Sequence, residues 1–228
     1  MKAKIQAFIF SLLLASTCAA DIPVKIHLVR VRGDNALTPN QLITVWAKAD
    51  LLLRAAGVDP ILARITFLPD DRPTLSTLAT RQGRLYFWRA RAIRRRWGAG
   101  YNVTHVVFPM MSDQGALWYS GLATKICGFG DNAFSISSAG AVNNLDTQLN
   151  KSAVGIAHEV LHILGAKHTY TNDLMNTDAL ALSQTVWPLP VLQTTKNEVL
   201  LCQRRKGKRA AGRAASFLRS RPTRLVNS

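Results

Sequence analysis

The chain has 228 residues, 48% of them apolar, and a formal charge of +16 from 29 basic and 13 acidic groups. That is enough apolar material for one core of ordinary size plus an appendage, so a wholly disordered chain is not expected. No segment reaches the roughly 18 consecutive apolar residues of a membrane-spanning helix, which argues against a helical channel or transporter.

The start, MKAKIQAFIFSLLLASTCAADIP, has Lys2 and Lys4, an apolar run from Ile5 to Leu14, and small residues before Asp21. This is the pattern of a signal peptide over residues 1–20, cleaved after Ala19 or Ala20, and it implies a secreted or periplasmic protein. Lipid anchoring at Cys18 is the minor alternative, because Leu14 sits one position too far away for a good acylation motif.

Residues 22–31, IPVKIHLVRV, alternate as a half-buried strand does. Thr38 and Pro39 then open a helix with a stripe of Leu42, Val45, Trp46, Ala49, Leu52 and Leu53, closed by Gly57. A short strand follows at 65–69. Residues 77–100 return to a helical pattern with Leu85, Trp88, Ala92 and the Arg95 stem along one side. The seven arginines of this stretch suit either a nucleic-acid patch or, more commonly, a solvated face with snorkelling stems. Three further strands are expected at 104–110, 121–126 and 133–138, a long apolar helix at 149–166, and a last helix at about 189–203. Strands and helices in this order define an α/β or α+β domain over 21–203.

Charge is unevenly placed. The segment 204–228 carries nine basic groups and no acid, whereas residues 21–203 carry 18 basic and 13 acidic ones. With few large apolar residues, the segment is expected to be a disordered tail or at most a transient helix. It suits an anionic surface or polymer, or serves only as a solubilising extension. Asn102 and Asn150 stand in glycosylation sequons, which matter only in a host that glycosylates.

The chain has five histidines, and three fall within HEVLHILGAKH at 158–168. His158 and His162, four apart on a helix, present their imidazoles on one face and can grip one cation. Glu159 then lies beside the metal without binding it, placed to take a proton from water. Gly165 can turn the chain sharply and bring back His168 as a third ligand. Three nitrogen ligands with an open position fit one catalytic Zn2+ ion. Chance agreement at both Gly165 and His168 is improbable, whereas His27 and His105, in strand patterns, read as structural or surface residues. Downstream of the signal peptide, Cys127 and Cys202 form either one disulfide or a pair of small buried hydrophobes.

HEVLHILGAKH resembles the extended signature HExxHxxGxxH of the metzincin zinc endopeptidases, and Leu174-Met175 resembles their Met-turn. The resemblance implies a mixed, twisted sheet of about five strands with an active-site helix and a C-terminal helix. It also implies that Met175 supports the metal site without ligating it. The order of elements from 77 to the zinc helix is similar to the reprolysin-like (adamalysin) branch. There a cysteine after the edge strand pairs with one near the domain end, which supports Cys127 with Cys202. Thr169 departs from that branch, which usually has aspartate there, and the short spacing from His168 to Met175 is matrixin-like. Thr177 stands where astacins carry a tyrosine ligand.

The function expected on these grounds is a secreted zinc-dependent endopeptidase with Glu159 as general base. The edge strand at Leu122, Ala123 and Thr124 would hold an extended peptide by strand addition. The alternative is a non-catalytic basic zinc protein that binds anionic polymers or surfaces. The intact Glu159 argues against it, because a structural zinc has no need of a carboxylate there.

Overall fold

The computed structural model describes residues 22–32, 36–68, 81–98, 100–109, 111–113, 116–118, 121–138 and 145–219. The signal-peptide reading, Cys18, and residues 220–228 of the expected tail lie outside them.

The first half of the domain follows its sequence pattern closely. In β1 (Ile22–Val31), Val24, Ile26 and Leu28 enter one apolar cluster and Val29 and Val31 enter the other, as a period of two requires. Helix α1 (Pro39–Ala55) buries the six residues of its expected stripe. It opens on a capping box: Thr38 Oγ1 accepts from Gln41 N–H at 3.3 Å, and the Gln41 side chain accepts from Thr38 N–H at 2.7 Å. Gly57, at φ +76°, turns the chain into β2.

β2 (Val58–Leu68) is longer than the short strand expected at 65–69. Its first half carries Pro60 and breaks alternation, which is tolerable because β2 pairs only with β1 and forms the sheet edge. After α2 (Arg81–Trp97) and β3 (Val103–Phe108), two three-residue strands, β4 (Met111–Asp113) and β5 (Ala116–Trp118), form an antiparallel pair. Three residues are too few for alternation to register in a sequence. β6 (Gly121–Ala123) and β7 (Phe134–Ser138) complete the five-stranded mixed sheet, in the order β2-β1-β3-β7-β6. Only β6 runs antiparallel to its neighbour.

Helices cover both faces. α1 and α3 (Leu145–Leu164) close the larger core, and α2 covers the smaller one, with Ala90 and Ile93 against Val106, Phe108, Phe134 and Ile136. The packed side of α2 is thus not the expected one. Trp88 is 60% exposed, and Ala92 and Arg95 are exposed too. Small Ala90 and Ile93 approach the sheet more closely than an indole could, and Trp88 instead stacks under the Arg91 guanidinium at 5.4 Å. Arg94 turns inward, donating to Gly130 O, Thr104 Oγ1 and Tyr101 O. Burial lowers its pKa.

Two histidines are buried in the sheet. His105 bridges Ser135 Oγ and Ser137 Oγ at 2.8 and 2.9 Å, and His27 contacts Thr66 Oγ1 at 2.8 Å. Burial lowers their pKa values to about 3 and about 4, with the Arg64 and Arg94 charges adding at His27.

After the four-residue α4 (Ala179–Leu182) comes α5 (Gln193–Arg219). It begins later than expected, because residues 189–192 are not helical and Pro190 O accepts from Leu174 N–H. It also runs far past residue 203, into the segment read from composition as a disordered tail. Alanine, lysine and arginine are strong helix formers, and Lys206 fixes the helix to the domain by donating to Ile163 O at 3.2 Å. Burial, then the Arg94 charge, lowers the Lys206 pKa to about 8.

Candidate metal centre and cleft

Nearly every residue of α3 from Leu149 to Leu164 is buried, so polar groups on it must be satisfied or functional. His158 and His162 project together and, with His168, form a cluster of potential metal ligands. The three Nε2 atoms stand 3.1 Å (His162 to His158), 3.1 Å (His162 to His168) and 3.2 Å (His158 to His168) apart. Three nitrogens at the zinc–nitrogen distance in a tetrahedron lie about 3.4 Å apart.

The tautomers follow from the carbonyls behind the rings. His158 Nδ1 donates to Leu174 O and His162 Nδ1 to Ala166 O, each at 2.8 Å. A carbonyl can only accept, so these Nε2 atoms carry lone pairs aimed at one point. Lone pairs converging at 3.1 Å repel unless a cation lies between them, and the donor set of three imidazoles suits zinc. Burial lowers the pKa of His158 to about 4, helped by the His162 charge, and that of His162 as well. Both effects favour the neutral, ligating form.

The return of His168 depends on Gly165. Its φ is +123°, and both Gly165 and Ala166 N–H donate to Leu161 O at 2.9 Å, ending the helix. A Cβ at Gly165 would also meet Glu198 O at 2.9 Å and crowd Cys202. Cys202 is bonded to Cys127, with Cα atoms 5.7 Å apart, and Cys127 N–H donates to His162 O at 2.9 Å. The N–H groups of Cys127, Gly165 and Ala166 and the Lys206 ammonium thus occupy the carbonyls of Leu161, His162 and Ile163 at the end of α3.

In the loop after the triad, Leu174 and Met175 are fully buried. Their loop is organised by Asp173, which sequence reasoning missed. Asp173 Oδ1 accepts from Met175 N–H at 2.7 Å, and Oδ2 accepts the Thr169 hydroxyl at 2.7 Å and that of Thr171. Thr169 N–H donates to Met175 O at 3.0 Å. Thr169 therefore supplies a hydroxyl where aspartate was the usual residue, and the carboxylate comes from 173. The signal was an aspartate two positions before Met175 in a turn-rich TND stretch.

Glu159 is 7% exposed, and burial raises its pKa to about 8. A positive charge held by the three rings favours its carboxylate form. Opposite it lies Gly121 at the start of β6, where a Cβ would fall 2.7 Å from Glu159 Cδ. The strand expected at 121–126 ends at Ala123. Leu122 is 45% exposed, and the Thr124 hydroxyl donates to Phe134 O at 2.8 Å, tying the edge to β7. A cavity of about 280 Å³ lies between β6, α3 and the loop after Met175. It is lined by Gly121, Gly155, His158, Glu159 and His168 and by Asn176, Thr177, Ala179 and Leu180.

A five-stranded mixed sheet, a helix carrying His158, Glu159 and His162, a returning His168 and a buried methionine turn define a metzincin-like fold with a cluster of three potential metal ligands. The chain is similar in structure to archaemetzincin from Methanopyrus kandleri, with TM-score 0.56 at 13% identity over 83% of this chain and 99% of that one. It is also similar to metalloproteinase-II from Bacteroides fragilis, with TM-score 0.54 at 16% identity over 82% of this chain, spanning 55% of that chain's length. No protein-family model and no curated protein matches it in sequence.

Proposed function

We propose that this chain is an exported zinc-dependent endopeptidase, with His158, His162 and His168 as the ligands. The observation that carries the reading is the convergence of three Nε2 lone pairs, two of them fixed by Nδ1–H to carbonyl bonds, one residue from a buried carboxylate facing an edge strand. Zinc bound there supplies a Lewis acid that acidifies water and polarises a carbonyl.

The rest is the work of the chain. The β6 backbone at Leu122 and Ala123 pairs with an extended peptide, and the hydroxyl of Thr124 keeps that edge in register with β7. Gly121 leaves the space in which the Glu159 carboxylate sits. Glu159 takes the proton from the attacking water and returns it to the departing amine, a transfer worth about a hundredfold or more in rate. The segment from Asn176 to Leu180 shapes the pocket beside the triad. The order of elements and the Cys127–Cys202 pair support the reprolysin-like branch.

The test is cleavage of a generic peptide library by protein carrying one zinc per chain. Cleavage that stops on chelation and returns with one equivalent of zinc supports the proposal. No cleavage by the zinc-loaded protein moves the assignment to the non-catalytic binding protein.

A further inference from the structure

Helix α5 does not end where its contacts with the domain end. Thr195, Val199 and Cys202 are buried and Lys206 reaches Ile163 O. Residues 207–212 are exposed, yet the helix continues to Arg219. At about 100° per residue, two arcs separate along this free part. Arg205, Lys208 and Arg209 fall on one side, and Arg213 and Arg219 continue it in register. Gly207, Ala210 and Ala211 fall on the opposite side, continued by Ala214, Phe217 and Leu218. Gly207, Ala210 and Ala211 are exposed, so the body of the domain leaves that side uncovered.

The charge around it is mostly of one sign. Neither α2 nor α5 beyond Glu198 contains an acid, and Lys206 lies near enough to Arg94 for that charge to lower its pKa. The exposed Arg95 and Arg96 follow in α2, with Asp131 bonded to Arg95. Basic runs brought together with fewer acids than bases repel one another, and an anionic partner relieves that repulsion.

We propose that α5 beyond Cys202 is an interfacial docking helix for an anionic lipid bilayer, lying in the plane of the headgroups. A nucleic acid would use the charge and leave the apolar arc idle. A bilayer surface uses both arcs, lipid phosphates against the basic one and acyl chains against the apolar one. The helix is not apolar enough to cross the bilayer.

The experiment is co-sedimentation of the full chain with vesicles of phosphatidylcholine, alone or mixed with phosphatidylglycerol, with circular dichroism of each variant as the fold control. Binding is expected to the mixed vesicles only. It should weaken about a hundredfold in Arg205→Gln/Arg209→Gln/Arg213→Gln, at about fivefold for each basic residue near the surface. Ala210→Leu/Ala214→Leu leaves the charge unchanged and should tighten vesicle binding at least tenfold, because it adds apolar area. Three results overturn the proposal: no binding to mixed vesicles, an affinity indifferent to the leucine pair, or equal or tighter binding to a duplex oligonucleotide. Self-association through the apolar arc, seen as a dimer in ultracentrifugation that the leucine pair strengthens while vesicle binding stays unchanged, overturns it as well.

Discussion

Gly121 on the edge strand and Glu159 on α3 are in contact across the cleft, with no room between them for a Cβ. The strand that would hold a peptide backbone and the carboxylate that would move its proton are therefore set at a fixed distance by one missing side chain. Gly121→Ala should lower turnover at least about tenfold, because the carboxylate must shift to make room and small misplacements are costly in proton transfer. Zinc stoichiometry should stay at one per chain. Wild-type turnover in a correctly folded Gly121→Ala protein would remove Gly121 from the mechanism.

Asp173 reaches the metal centre through the backbone. Its carboxylate holds Met175 N–H and the hydroxyls of Thr169 and Thr171, and the neighbouring Leu174 O orients His158. Asp173→Asn replaces one acceptor with a donor, and zinc affinity should fall by about ten- to a hundredfold, the usual effect of losing a group behind a ligand. Thr169→Val, which removes one of the three donors, should cost less. Competition with a chromophoric chelator measures both. Unchanged affinity in Asp173→Asn would show that the loop holds its shape without the carboxylate.

Much of this site was legible in the sequence because its chemistry is local. His158, Glu159, His162, Gly165 and His168 fall within one turn-and-a-half of helix and the bend after it, so residue spacing fixes their geometry. The Cys127–Cys202 pair was readable from the cysteine count, since only two cysteines follow residue 20, and the resemblance supported it. Gly121 and Asp173 were not legible, since their roles come from contacts across the cleft and within an irregular loop, where no periodicity operates. The packed side of α2 was misread because an exposed Trp88 imitates a buried one in a helical pattern. The helical state of 204–219 was hidden by its composition: charge argues against a core, but it does not prevent a helix that begins inside a folded domain.

Buried histidines give the fold an acid limit. The His105 pKa lies at about 3 and that of His27 at about 4, each lowered by burial, whereas an unfolded chain titrates them near 6.5. As pH falls below about 6.5 the unfolded state gains protons that the folded state refuses, so stability declines until the folded pKa is passed. For His105 the full loss is roughly 5 kcal/mol. Urea midpoints measured between pH 7 and pH 4 should fall less steeply in His105→Gln, which cannot titrate, than in the wild type. Parallel curves would show that His105 is not held neutral.

The most direct measurement of the central claim combines peptide turnover and metal content in Glu159→Gln and His162→Ala. If Glu159 moves the proton and His162 holds the metal, Glu159→Gln retains one zinc per chain while turnover falls at least about a hundredfold, and His162→Ala loses both. Near wild-type turnover in a zinc-loaded Glu159→Gln protein would contradict the account.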